Sequence, residues 1–525
     1  WRTLTQPITS DDIPRLERPA NWVPDLSPIA IAYSKRKYED FKEALESIPQ
    51  AGWSRADSID YLLLRSAIER VNWELNVLDL PGSHPEFYIN QTLGFVFDLL
   101  AISSPFTAER AEQLIQRLNT IPQNLRYARE NLITPKHPFA LTAIEQLQGI
   151  RDQMNLMAQD LEASYPDIFD ADLQRATQTA SMALEAFRWW LEKSLPTMDK
   201  DFSIGKKEYS YFLRNIALVP YTPEKLLQMG SQEWERAVSF ETLEIIRNQQ
   251  VPPTPKFETL EAEIEQARID EQAIRDFLVE KDIMTVPDWA QHYTLKPMPG
   301  YLEALGAFGE LDDFTSPSRL NENSVRYIPD PSGHLGFFYG TAAHDPRPLI
   351  IHEGVPGHYF QLIQTWKHER PIRRFYIDSN ANEGIGFYVE EMLLQLGLLD
   401  DRPHTREIIY RFMRLRALRV AVDVNLALGH FDISEAGNYL ESTVPMDRES
   451  ATSEAAYFAA TPGQAITYQI GKLQILKLIS DARVLWGDDF KLKDYHDYMM
   501  KNGNVPIALQ RWEYLGLTAE IDDLW

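Results

Sequence analysis

The sequence predicts a mainly α-helical protein with a small β-sheet set next to its most chemically informative helix. Three observations predict it. Apolar residues recur at the four-three spacing of one helix face through most of the chain. Helix start signals stand ahead of several of these stripes. Only after Pro299 do Gly, Pro and Asp become frequent, with β-branched and aromatic residues between turn signals.

In chain order, Ser54 with Asp57 is a start signal, and Leu64, Ile68, Val71, Leu75 and Leu78 form the first stripe. Ala143, Leu147, Ile150, Met154 and Met157 repeat the spacing, and Asp170 to Leu195 reads as a helix. Thr222-Pro223-Glu224 supplies a cap, a first-turn proline and a dipole-favoured acid ahead of another long helix. Val251-Pro252-Pro253-Thr254-Pro255 is a stiff breaker, too short for a domain linker, before a helix over Phe257 to Val279. The ordinary reading of every such stripe is core packing. Ser324–Ile328 and Gly336–Gly340 read as short strands, and helices resume near Pro348 and continue to the end.

The chain has 525 residues, 52 Lys+Arg against 77 Asp+Glu, a net charge of −25 and no cysteine. The cysteine count excludes disulfides, thiolate-bound zinc, iron–sulfur clusters and a cysteine nucleophile, so any metal must be held by His, Asp and Glu. The acidic balance, with no basic run, argues against nucleic acid as a partner. The longest apolar region, Thr92 to Ile102, is short and interrupted by Asp98, so no membrane span is expected. The chain opens at Trp1, as a trimmed product would, and the absence of cysteine favours export (periplasmic or secreted) over a cytoplasmic location.

The segment Leu349-Ile350-Ile351-His352-Glu353-Gly354-Val355-Pro356-Gly357-His358 carries the chemistry. In the common zinc-protease pattern two histidines at i and i+4 of a helix share a face, and the glutamate between them reaches the metal-bound water. Here the spacing is i, i+6. At about 100° per residue the second ring falls about 120° short of two full turns. Pro356 cannot bond to the carbonyl of His352, and Gly357 permits unusual backbone angles, so a local bulge there would return His358 to the face of His352. The alternative is two unrelated histidines.

Two histidines need a third protein ligand if zinc is to keep one position open. Asn382-Glu383-Gly384-Ile385-Gly386-Phe387-Tyr388-Val389-Glu390-Glu391 is the candidate source, and the apolar residues that follow make it read as a buried helix. Glu383 and Glu390 lie on one face, two turns apart. Glu383, beside small Gly384 and Gly386, is the better ligand. The competing readings are a dipole-favoured acid for Glu383 and solvated acids for Glu390 and Glu391.

These segments resemble the bacterial "domain of unknown function 885" family, which is grouped with zinc metallopeptidases of the gluzincin type. The resemblance rests on His352-Glu353-x-x-Pro356-Gly357-His358-x-x-Gln361, on Glu383-Gly384-x-x-x-Tyr388-x-Glu390, and on Pro462-Gly463-Gln464-Ala465-Ile466-Thr467-Tyr468-Gln469-Ile470-Gly471-Lys472. Weaker similarity runs through Arg117-Leu118 to Pro122, Gly205-x-x-x-Tyr209, Tyr221-Thr222-Pro223, and Asn502-Gly503 with Val505-Pro506. It implies a large helical metallopeptidase-like body over residues 1–525 enclosing a channel, or two subdomains, 1–297 a helical half and 298–525 a metal-binding catalytic half. It also implies one zinc held by His352, His358 and Glu383, with Glu353 as general base. The chain departs from the family in carrying Ile385 where Trp is frequent. It also has Asp423-Val424-Asn425-Leu426-Ala427 where many members have Asp-x-x-x-His, with His430 one turn beyond.

On this reading the protein is a zinc metallopeptidase acting on a peptide or small amide. Tyr468 is the candidate donor to the oxyanion, or simply a buried aromatic. Glu390 and Asp423 are candidates to support the ligands from behind. Arg419, Gln464 and Lys472 are candidates to hold substrate, for instance a terminal carboxylate. Against this, Arg416, Arg419 and Asp423 are spaced as an intrahelical ion-pair ladder. The Gly336–Gly340 strand offers an edge for an extended peptide. The competing functions are a zinc hydrolase of a non-peptide amide or modified amino acid, and a helical binding protein whose metal site is lost or structural.

Overall fold

The computed structural model describes residues 17–525 except 20, 310, 334, 445, 523 and 525. The chain is mainly helical, as its periodicity predicts, and its start signals form. Ser54 and Asp57 make a reciprocal capping box ahead of Arg55–Asn72. The Asp170 side chain caps Ala171–Ser194, and Thr222 caps Pro223–Arg247.

Eight helices place the site: α1 (Ala108–Asn131), α2 (Ala171–Ser194), α3 (Pro223–Arg247), α4 (Leu260–Glu280), α5 (His358–Thr365), α6 (Ser379–Gln395), α7 (Pro403–Ala427) and α8 (Thr467–Trp486). The first core gathers apolar side chains of α1, α2 and their neighbours, and also Tyr301, Leu302, Phe308, Val325 and Tyr327. A second surrounds α5 and α6 and takes Ile274, Leu278, Tyr293 and Leu295 from the other direction. Packing therefore crosses position 297 both ways.

The small sheet is three-stranded, ordered β1 (Tyr293–Pro297), β3 (Ser324–Ile328), β2 (Asp312–Asp313). β1 and β3 run parallel, Tyr293 opposite Ser324, and β2 is antiparallel to β3. It lies directly against the His352 turn: a side chain at Gly354 would sit 2.7 Å from the Tyr293 ring.

Three sequence expectations are corrected. Gly336–Gly340 is not a strand. Phe337–Ala342 is a helical turn with Gly340 N–H donating to the Gly336 carbonyl, so no strand edge is offered to a peptide there. Its three consecutive aromatics mimic strand composition, but they wrap a cavity wall instead of alternating across a sheet. The Leu64–Leu78 stripe does not line one face. Leu64 is 39 % exposed, while Ile59, Leu62, Leu63 and Ser66 are buried, and the helix widens into a π turn at Trp73–Val77 that shifts the register. The Ala143–Met157 stripe is wholly buried, but it is shared by two helices that break at Gly149.

Candidate metal centre

His352 sits in a π turn, Ile350–Gly354, whose closing bond runs from Val355 N–H to the Ile350 carbonyl. Val355 is then extended, the Val355–Pro356 peptide is cis, and α5 begins at His358 itself. The expected bulge within one helix is instead two separate elements joined by a bend at Val355 to Gly357. The six-residue spacing is bridged by a change of chain direction. Gly357 is required there, because any side chain would overlap the carbonyl oxygen of His352.

Glu383 comes from the second turn of α6, whose N-terminus is capped by Asp378 accepting from Ala381 N–H. Gly386, one turn on, lets both imidazoles lie against the helix: a Cβ there would stand 2.8 Å from His352 Cε1 and 3.0 Å from His358 Cε1. Asn504 donates to Gln361 of α5 (3.2 Å) and to Asn382 of α6 (3.3 Å), tying the two ligand-bearing helices together.

The candidate ligand atoms converge. His352 Nε2 and His358 Nε2 lie 3.4 and 3.5 Å from Glu383 Oε2, and all three side chains are buried. They form a cluster whose ligating atoms are all within 4.8 Å of one another. Tetrahedral ligands about 2.0–2.1 Å from one zinc stand about 3.3 Å apart, so these separations fit such an ion. Glu383 Oε2 is buried and accepts no hydrogen bond among the described residues. Two imidazoles with one carboxylate is also the donor set of an open, catalytic zinc site. Burial opposes ionisation of Glu383, but the two rings beside it outweigh burial and hold its carboxyl well below the ordinary range.

Behind the ligands stands an ionic support. Glu390, fully buried, lies 2.6 Å from His352 Nδ1 and turns Nε2 toward the cluster. Arg416 of α7 holds both oxygens of Glu390, at 3.1 and 3.0 Å, and lies over the Phe387 and Phe412 rings. Burial and Arg416 disfavour protonation of His352, Glu383 and Glu390 favour it, and the net effect is upward. The solvated-acid reading of Glu390 fails on its burial.

The cluster opens into a cavity of about 470 Å³ that Glu353, Tyr468, Arg416 and Arg419 also line. The Tyr468 ring stacks on His352 at 6.4 Å. Arg326 of β3, which sequence reasoning missed, reaches 3.8 Å from Glu353 while paired with Asp312. Its only sequence signal is a charged residue inside a buried strand.

Other expectations are corrected. Lys472 is fully buried and bonded to Glu391 at 2.7 Å, so it joins α8 to α6 and does not reach the cavity. Gln464 lines a separate space of about 40 Å³ beside Trp73 and Phe212. Asp423 touches no ligand. It accepts from Gly463 N–H, Ile466 N–H and the Tyr209 hydroxyl, and so fixes the turn that launches α8 and Tyr468. The ion-pair ladder on α7 does not form, because Arg416 turns to Glu390 and Arg419 to Glu454. Ala427 lies in an apolar cluster with Tyr209 and Val424, and His430 is exposed beside Asn425.

A family model for bacterial proteins of unknown function, DUF885, matches residues 15–512. The chain belongs to that family. No functionally curated protein matches this DUF885 member. Its fold is similar to a candidate lipoprotein of unknown function from Shewanella oneidensis, at 17 % identity, TM-score 0.73 and 94 % coverage of both chains. It is also similar to a candidate lipoprotein from Colwellia psychrerythraea, at 16 % identity and TM-score 0.75, covering 94 % of this chain and 92 % of that one. Among the described residues of this DUF885 protein, no helix is long and apolar enough to cross a membrane.

Proposed function

We propose that this protein is a zinc-dependent metallopeptidase of gluzincin type, hydrolysing peptide bonds in its enclosed cavity. The convergence of His352 Nε2, His358 Nε2 and Glu383 Oε2 in a cavity that Glu353 also lines carries the reading. Zinc, when bound, supplies a Lewis acid that polarises a carbonyl and lowers the pKa of water from 15.7 toward about 7. Glu353 takes the proton of the attacking water and returns it to the leaving amine. Its neighbour Arg326 orients the carboxylate, reaching it at 3.8 Å while anchored to Asp312. Tyr468 donates its hydroxyl to the carbonyl oxygen as negative charge builds there, an interaction worth about 3 kcal/mol where such donors have been removed. Glu390 fixes the tautomer of His352.

The departure at Ala427 does not weaken this reading, because that position is packed away from the cavity. Export agrees with the cysteine-free composition and with the description of both similar structures as candidate lipoproteins. Elemental analysis and digestion of a peptide library, with and without chelator, test the proposal. One zinc per chain and chelator-sensitive cleavage are expected. Glu353→Gln should keep the metal and lose at least a hundredfold in activity, the scale of general-base catalysis; full activity in that variant would remove Glu353 from the mechanism.

A further inference from the structure

The cavity lining includes two groups of apolar side chains. On the His358 side stand Phe314, 6.4 Å from that ring, with Leu362, Trp366 and Ile377, the last three about 5–6 % exposed and committed to the core. Also in the lining, Phe337, Phe338 and Phe412 form a closed triangle of rings at 5.2, 5.9 and 5.7 Å. Phe338 is 38 % exposed and lines the cavity. A large, solvated ring inside a cavity costs free energy unless something covers it.

The triangle is connected to the metal cluster through two side chains, Arg419 and Tyr468. Arg419 lies over Tyr468 at 4.7 Å and over Phe338 at 5.9 Å, and Tyr468 stacks on His352. A substrate with its carbonyl beside His352 shares one cavity with the triangle, which stands two side chains along the cavity lining. Each of the cavity's three arginines is already paired with a carboxylate of the protein. Arg416 holds Glu390 through two nitrogens, Arg419 holds Glu454 through two nitrogens, and Arg326 holds Asp312. A substrate carboxylate would meet guanidinium groups whose charge the protein already balances.

Resting on the peptidase reading, we propose that the substrate carries an aromatic side chain that seats on Phe337, Phe338 and Phe412. On this proposal Arg416 and Arg419 brace that wall and do not clamp a terminal carboxylate. Offset and edge-on ring contacts of the kind the triangle already makes extend to a fourth ring with a preference beyond simple area burial.

The test uses the full-length Glu353→Gln protein incubated with zinc, so that binding is read without turnover. Acetylated, amidated tetra-alanine peptides with Phe at each position in turn are titrated calorimetrically against the all-alanine peptide. At least one Phe peptide should bind about tenfold or more tightly, the scale of burying a large apolar side chain. Adding Phe338→Ala should erase that preference; Phe338 is partly exposed, so its truncation leaves the core intact. Replacing the terminal amide by a free carboxylate should change affinity less than about twofold, against the tenfold scale above. Equal binding of Phe and Ala peptides, no binding of any, or a preference that survives Phe338→Ala would overturn the proposal. So would tighter binding of free carboxylates that is lost in Arg419→Gln. If wild-type protein with zinc leaves every peptide intact while Phe peptides still bind selectively, the hydrolase reading fails and the aromatic site stands.

Discussion

The decisive residues are those that make charge tolerable in a dry place. Glu390 is fully buried, yet it is shared between His352 and Arg416, so its charge aligns an imidazole at no net cost in unpaired ions. Glu390→Gln keeps an acceptor for His352 but removes the charge. Zinc affinity, measured by competition with a chromophoric chelator, should fall about 10–100-fold, the usual effect of losing such a partner. Arg416→Ala should act differently, by leaving Glu390 buried without its counter-charge. A loss of about 3–5 kcal/mol in denaturant unfolding is expected; unchanged stability would show that Glu390 finds its charge balance elsewhere. Arg416 was legible only as one of several arginines on a helix. The informative feature was its setting, since Leu415, Ala417 and Leu418 around it are all buried.

Among the elements, the crossing of α6 and α8 sets the depth of the site. Gly384 and Gly471 meet backbone to backbone: a Cβ on Gly384 would lie 2.7 Å from the Gly471 Cα, and one on Gly471 would overlap the Asn380 carbonyl. Gly471→Ala should therefore destabilise by about 1–3 kcal/mol through overpacking. It should also weaken zinc binding, because the α6 segment that moves carries Glu383. Wild-type stability with wild-type affinity would remove the crossing from the account.

The turn before α8 predicts a pH effect. Burial pushes the Asp423 carboxyl from 3.8 up to about 6, despite the donors from Gly463, Tyr209 and Ile466. A carboxyl raised on folding favours the fold in its protonated form. That contribution is complete below about pH 4 and is lost as pH rises through about 6. Asp423→Asn does not titrate, so the melting temperature of the variant minus that of wild type should increase between pH 4.5 and 7.5. A difference that stays constant across the range would show that Asp423 does not titrate there.

The whole molecule brings distant segments to one point. Candidate ligands from Ile350–Gly354, α5 and α6, a support from α7, a tyrosine from α8 and an arginine from β3 meet because two cores, interlocked across position 297, press the sheet against the His352 turn. A metal that binds this assembled site but not the unfolded chain must stabilise the fold. At zinc about a hundredfold above its dissociation constant the gain is about 2.7 kcal/mol. Chelator-treated protein should melt lower and recover on addition of zinc. Identical melting curves, with no zinc retained, would exclude the triad as a metal site.

Local pattern was enough for the helical class, the capped starts of several helices, the strand Ser324–Ile328, and the side chains that converge, His352, His358 and Glu383. These were readable because capping, periodicity and ligand chemistry are local: each depends on a few neighbouring residues. Tertiary packing was needed to show that the six-residue gap is a bend between two helical elements, that Phe337–Ala342 is helical, and that Lys472 and Asp423 serve the framework. It also brought Arg326, Arg416 and the phenylalanine wall to the cavity. Those outcomes depend on partners dozens of residues away, such as Glu390 for Arg416 and Glu391 for Lys472. A buried charge takes whichever partner the packing delivers, and spacing along the chain does not encode that choice.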